Sequence, residues 1–230
     1  MRARDALLNL LYPPDVACIA CNREALLGED FLCDACRESL VRAPGDLPAP
    51  PPLSGLCAGL LYTAPAESAI HRFKYRRGVW LTDFLASYIV LSPDWQIDCL
   101  VPVPLHPLRQ WKRGYNQSEL LCRALNARYA LPVRTDLIRR VRNTPQQARL
   151  SAAERAYNLD GAFKANTAAR GLSILLVDDV TTTHETLVRC ALSLTHAGAS
   201  RVYAACACLA GQHDYAEQSA PASESPLYFR

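Results

Sequence analysis

Asp178 and Asp179 are adjacent carboxylates closing an apolar run, Ile174 to Val177, and hydroxyls follow them at Thr181, Thr182, Thr183 and Thr186. Neighbouring acids can accept hydrogen bonds from a pair of sugar hydroxyls. A hydroxyl-rich turn that opens a helix can seat a phosphate, because its N–H groups point outward and the helix N-terminus adds positive potential. A phosphorylated ribose satisfies both halves. The apolar run lacks alternation, so it reads as a strand covered on both faces and stopped by the acids. Leu187, Val188, Ala191, Leu192 and Leu194 have helical spacing. Strand, acids, turn and helix in that order put a ligand at the carboxyl edge of a parallel sheet.

Cys18, Cys21, Cys33 and Cys36 form two Cys-x-x-Cys pairs separated by a short loop, a spacing that brings four thiolates to one tetrahedral Zn²⁺. Paired disulfides and an iron–sulfur cluster are the rival readings; a reducing compartment disfavours the first and the spacing disfavours the second. The other six cysteines stand singly in apolar or helical surroundings and read as small core residues.

Cationic residues gather in three blocks. Arg72, Lys74, Arg76 and Arg77 alternate with Phe73 and Tyr75; Arg109, Lys112 and Arg113 lie beside Trp111 and Tyr115; Arg139, Arg140, Arg142, Arg149 and Arg155 form the third. Such blocks are commonly a solvated face, and they also suit phosphate chains. In a nucleic-acid reading Trp111 and Tyr115 stack on bases while the cations, with Lys74, Arg142 and Arg149 among them, hold the backbone.

The elements that must position these groups are legible in outline. Cys57–Tyr62, Ile97–Val103, Leu159–Lys164 and Arg201–Leu209 read as further strands, and Trp80–Val90 as helix. Asn116 with Glu119 is a candidate N-cap and partner for the helix that carries Leu120, Leu121, Ala124 and Leu125. Ser151 with Glu154 offers a second cap. Residues 43–54 hold five prolines and read as a semi-rigid spacer; the chain therefore divides into a zinc-binding module (1–42), this linker (43–54), a main domain (55–210) and a tail (211–230) of disordered composition. A length of 230 residues suffices for one full core with a small satellite, and 50% apolar with 20% charged residues fits a soluble globular chain. The net charge of +3 is too small to select a partner. No apolar run reaches the length of a membrane span and Met1–Leu11 is too short in apolar core for a signal peptide, so no membrane insertion and a cytoplasmic location are expected.

The Ile174–Thr186 segment resembles the phosphoribosyl-pyrophosphate (PRPP) signature of type I phosphoribosyltransferases, an apolar run and two acids ahead of a Thr-Thr-Gly-x-Thr loop. His184 stands where that signature has Gly, and Glu185 follows it. Gly permits positive φ and close phosphate approach, which histidine resists, although histidine tolerates left-handed backbone better than most residues and can donate a hydrogen bond. Thr182 and Glu185 form a candidate capping box, in which the helix caps itself.

Over nearly all of residues 18–210 the order of motifs resembles the ComF family of competence-associated, phosphoribosyltransferase-like proteins. The matching pieces are the four-cysteine module, Phe73-Lys74-Tyr75, Val101-Pro-Val-Pro-Leu-His106, Arg113-Gly-Tyr-Asn-Gln117, Arg142–Gln147, Arg155-Ala-Tyr-Asn158, Gly161-Ala-Phe163 and the Asp178-Asp179 segment. Many members carry a further cysteine pair where this chain has only Cys57, which is left out of the metal site. The resemblance implies an α/β fold: a type I phosphoribosyltransferase-like parallel sheet flanked by helices, with an N-terminal zinc ribbon. It implies that Asp178 and Asp179 hold the ribose hydroxyls and that Thr181, Thr182, Thr183, His184, Glu185 and Thr186 form the phosphate loop. Lys112 and Arg113 would meet the pyrophosphate, and Mg²⁺ would bridge pyrophosphate and ribose oxygens. It further implies a role in DNA uptake. Two functions follow as expectations: phosphoribosyl transfer from PRPP to an unidentified acceptor, or single-stranded DNA binding beside competence proteins with the pocket vestigial. With Arg at position 2 and no glutaminase domain ahead of the sheet, a complete amidophosphoribosyltransferase is not expected.

Overall fold

The computed structural model describes residues 17–25, 27, 31–45, 47–75, 78–142 and 161–211. Its centre is a four-stranded, all-parallel sheet in the order β1-β6-β5-β2, formed by β1 (Gly55–Leu61), β2 (Cys99–Pro102), β5 (Ser173–Thr181) and β6 (Arg201–Leu209). The sequence requires this burial: Ile174 to Val177 are fully buried, and strands apolar on both sides are stable only between two covering layers. Leu175, Val177 and Ala205 pack on one face with Ile70, Phe73, Leu85, Leu121 and Leu125. These come from α2 (Ala64–Tyr75), α3 (Thr82–Ser87) and α5 (Gln117–Tyr129). Ile174, Leu176 and Ala204 pack on the other with Leu187, Cys190, Ala191 and Leu194 of α6 (Glu185–His196).

The acids do not end β5. The ladder to β6 continues through Asp178, Val180 and Thr181, paired with Cys206, Cys208 and Leu209. On the other side β2 stops at Pro102, opposite Val177. The acidic pair therefore lies beyond the end of one neighbour while still held by the other, and a cleft opens on the β2 side. Into it run α4 (Pro107–Arg113) and an antiparallel ribbon of β3 (Ile138–Arg140) with β4 (Phe163–Ala165). The strand expected at Leu159–Lys164 is thus β4, and it joins the ribbon, not the main sheet; Leu159 and Asp160 lie outside the described residues. The helix expected at Trp80–Val90 is shorter: a single tight turn at Val79–Leu81 leads into α3.

The cysteine segment, with α1 (Asp34–Glu38), buries Ile19 and Leu32 in the same cluster as Phe73 of α2. Residues 41–45 and 47–54 run along β1: Leu61 N donates to Val41 O at 2.8 Å, Ala43 N to Gly59 O at 3.1 Å, and Leu47 and Leu53 are buried. No described helix is long and apolar enough to cross a membrane.

Candidate functional site

Three elements meet at the acidic pair. Asp178 Oδ1 accepts from Ser118 Oγ at 3.0 Å and from the Asp179 N–H at 2.8 Å. Asp179 Oδ1 accepts from the Val180 N–H at 2.9 Å, and the Lys74 ammonium lies 3.1 Å from its Oδ2, as an ion pair without an aligned hydrogen bond. Ser118 is fixed because Asn116 caps α5: its Oδ1 accepts from Ser118 N and its Nδ2 donates to Val103 O, both at 3.1 Å, tying the helix to the end of β2. Glu119, the expected capping partner, pairs with Arg123 at 2.7 Å instead.

The electrostatics follow from the geometry. Burial, then the neighbouring Asp179 charge, push Asp178 up to about 7. Burial opposes the charge of Lys74, but Asp179 and then Asp178 outweigh it and hold the ammonium above its ordinary range. The cavity above the pair has a volume of about 210 Å³, and Arg109 and Arg113 of α4 line it with Arg140 of β3. Burial, followed by the charge of Arg113, lowers Arg109; burial, followed by Arg109, lowers Arg140. Guanidiniums that depress one another are suited to a multiply charged anion, which relieves the repulsion.

The loop after β5 differs from both expectations for it. His184 takes left-handed backbone, φ 59° and ψ 0°, so the position that favours Gly keeps its conformation with a side chain present. Its Nδ1 lies 2.9 Å from the hydroxyl of buried Thr181, and burial lowers its pKa, which favours a neutral ring. The Thr182–Glu185 capping box does not form: His184 occupies the N-cap, and Glu185 pairs with Arg189 at 2.6 Å. Thr182 and Thr183 are exposed, and Thr186 lines the cavity.

Of the sequence-predicted contacts, Asp178, Asp179, Lys74, Arg109, Arg113 and Thr186 share the cavity. Lys112 is exposed and does not line it. Tyr115, half-buried, donates its hydroxyl to Phe73 O and packs 6.4 Å from the Phe73 ring, so it braces α2. Arg142 is exposed after β3, and Arg149, Arg155 and the Ser151–Glu154 cap lie outside the described residues. Sequence reasoning missed Tyr75, Ser118 and Arg140 as site residues. Arg140 is named in the third basic block but not singled out for this cavity, Tyr75 stands beside Lys74, and Ser118 two residues after a recognised cap. Tyr75 lies under the Arg113 guanidinium, 5.2 Å from ring centre to carbon.

A second site is separate from the first. The sulfurs of Cys18, Cys21, Cys33 and Cys36 all lie within 4.8 Å of one another, and Cys21 and Cys33 are 3.8 Å apart. Zn–S bonds of about 2.3 Å in a tetrahedron set sulfurs roughly 3.8 Å apart, so the quartet fits a tetrahedral metal. None of the ten cysteines is in a disulfide. Hydrogen bonds from Arg23, its backbone first, lower Cys21 to about 6, which favours the thiolate a metal needs.

No family model matches the chain. It is 35% identical to the DNA utilization protein YhgH of Salmonella typhimurium over 205 residues, 83% of this chain and 89% of the relative. It is also 35% identical to Competence protein F of Haemophilus influenzae over 137 residues, 55% of this chain and 60% of that one. Among solved structures it is similar to the glutamine PRPP amidotransferase of B. subtilis complexed with ADP and GMP, at 17% identity and a TM-score of 0.37, with 61% of this chain covered. The match spans 27% of that enzyme's chain.

Proposed function

Since the chain belongs to the ComF family of competence and DNA-utilization proteins, we propose that its cavity binds PRPP and serves phosphoribosyl transfer to an acceptor. One observation carries the reading: an acidic pair, with Asp179 buried and Asp178 partly so, and three guanidiniums line one small cavity. The geometry suits a ligand that is a diol at one end and a diphosphate at the other.

In this reading Asp178 accepts a hydrogen bond from a ribose hydroxyl. Arg109, Arg113 and Arg140 hold the diphosphate, and the exposed Thr182 and Thr183 with Thr186 seat the 5-phosphate. As the bond from C1 to the diphosphate breaks, positive charge develops on the sugar and negative charge on the leaving group; Asp178 stabilises the first and the guanidiniums the second. Mg²⁺ carried on the diphosphate would add to the neutralisation of the leaving group. We further propose Zn²⁺ for the cysteine quartet, in a structural role. Calorimetry tests the cavity: Mg²⁺-dependent PRPP binding is expected, weakened by about tenfold or more in Asp178→Asn, as for loss of a charged hydrogen bond. Absence of binding by the unmutated protein removes the reading.

One observation favours a second reading, single-stranded DNA binding within the uptake machinery. Trp111 is 86% exposed on α4, with Lys112 beside it and Arg139 and Arg142 also exposed. Exposed aromatics interleaved with cations stack bases and follow a phosphate backbone without sequence preference. Affinity for an oligonucleotide should fall steeply with salt, and Arg142→Glu should weaken it for all sequences. Salt-insensitive binding counts against this reading.

A further inference from the structure

The acidic pair is a poor seat for a metal ion, although adjacent carboxylates are ordinarily good ones. Three of its four oxygens already meet donors or cations of the chain itself: Asp178 Oδ1 takes Ser118 Oγ and a backbone N–H, Asp179 Oδ1 takes a backbone N–H, and Asp179 Oδ2 faces the Lys74 ammonium. Lys74 is no swinging surface lysine. It follows the fully buried Phe73, whose carbonyl accepts the Tyr115 hydroxyl, so the end of α2 is clamped from inside and outside. Arg109, Arg113 and Arg140 add three more positive charges around the same cavity.

We propose that the Lys74 ammonium stands where a divalent cation would otherwise sit on the acidic pair, so that the pair binds no metal of its own. A divalent ion then enters the cavity only on the phosphates of a ligand, a second half that rests on the PRPP reading. Asp178 is left to meet the sugar, and Asp179 is a positioning residue that fixes Lys74. The charge requirement is general: two adjacent carboxylates withdrawn in large part from water need compensation, from a bound metal or from a built-in cation. This chain supplies the cation itself.

Mn²⁺ alone, followed by electron paramagnetic resonance on the zinc-loaded full chain, tests the proposal without any ligand. The unmutated protein should leave Mn²⁺ free at concentrations where Lys74→Met binds one ion at least about tenfold more tightly. Lys74→Arg, which keeps the charge, should behave as the parent, and Asp179→Asn added to Lys74→Met should abolish the new site. A purely structural role for Lys74 would not create a metal site when the side chain is neutralised. Mn²⁺ binding by the unmutated protein that Asp179→Asn removes overturns the proposal, as does a folded Lys74→Met that gains no Mn²⁺. If Lys74→Met fails to fold, Lys74→Gln takes its place, and the parent measurement still decides. PRPP titration of the unmutated protein with Mg²⁺ separates the two ideas: absent PRPP binding removes the PRPP reading while leaving the Mn²⁺ result standing.

Discussion

At Asp178 the burial that prepares the site also makes ionisation unfavourable. Its carboxyl titrates near 4 in an unfolded chain and at about 7 in the fold. The folded state therefore holds the proton more tightly. Stability from this group is fully present below pH 4 and declines as the pH rises to 7. Asp178→Asn should thus be more stable than the parent at pH 8, on the order of 2 kcal/mol once the partial contact of the residue with water is allowed for, and the gap should close by pH 4 in urea titrations. Ligand affinity should run the other way, rising from pH 6 to 8 as the carboxylate forms; a flat profile would mean that Asp178 does not receive the sugar hydroxyl. His184 makes a second residue-scale test. Its positive φ favours Gly, while its ring contacts Thr181. His184→Ala keeps the backbone strain and loses the contact, so it should destabilise by about 1–2 kcal/mol, whereas His184→Gly should be about 1 kcal/mol milder.

Among the elements, α2 joins the two sites. Ser68 donates to Ala20 O and Arg72 to Asn22 Oδ1 at 3.1 Å, which binds the helix to the cysteine segment. The C-terminal end of the same helix delivers Lys74 and Tyr75 to the cavity. Loss of the Zn²⁺ proposed for the quartet, by chelation or by Cys33→Ser, should speed amide exchange in residues 64–75 and leave the ladder between β5 and β6 protected, because those strands draw their stability from the sheet core. Equal exchange in both would show that the cysteine segment is an appendage. The junction of α4 and α5 turns at Gly114, whose left-handed φ of 84° favours a residue without a side chain, and Arg113 lines the cavity just before Asn116 caps the next helix.

Taken whole, the described residues form a sheet covered on both faces, with the acidic pair at the carboxyl edge, where β2 stops short of β5. Its core and its functional edge should therefore respond differently to mutation. Leu176→Ala, in a fully buried strand, should destabilise by about 2–5 kcal/mol. Trp111→Ala, at an exposed position, should leave thermal stability nearly unchanged, within about 0.5 kcal/mol, yet weaken oligonucleotide binding if the second reading holds.

The sequence determined the parts whose cause is local. An unbroken apolar run stopped by two acids reads as a doubly covered strand, two Cys-x-x-Cys pairs so close in sequence read as one convergent quartet, and an Asn ahead of an apolar helical pattern reads as its cap. Tertiary structure decided the pairings. A lysine reads the same in sequence whether solvated or set against Asp179, and Ser118 reaches Asp178 only because topology lays α5 beside β5. Thr182 and Glu185 had the spacing of a capping box, but the left-handed turn at His184 moved the helix start, and Arg189 took the carboxylate. That the acids stay within a strand was likewise decided by the length of β6, a neighbour contributed by a distant part of the chain. Spacing along a chain specifies what a residue can do; which partner it meets depends on contacts between segments that local sequence does not encode.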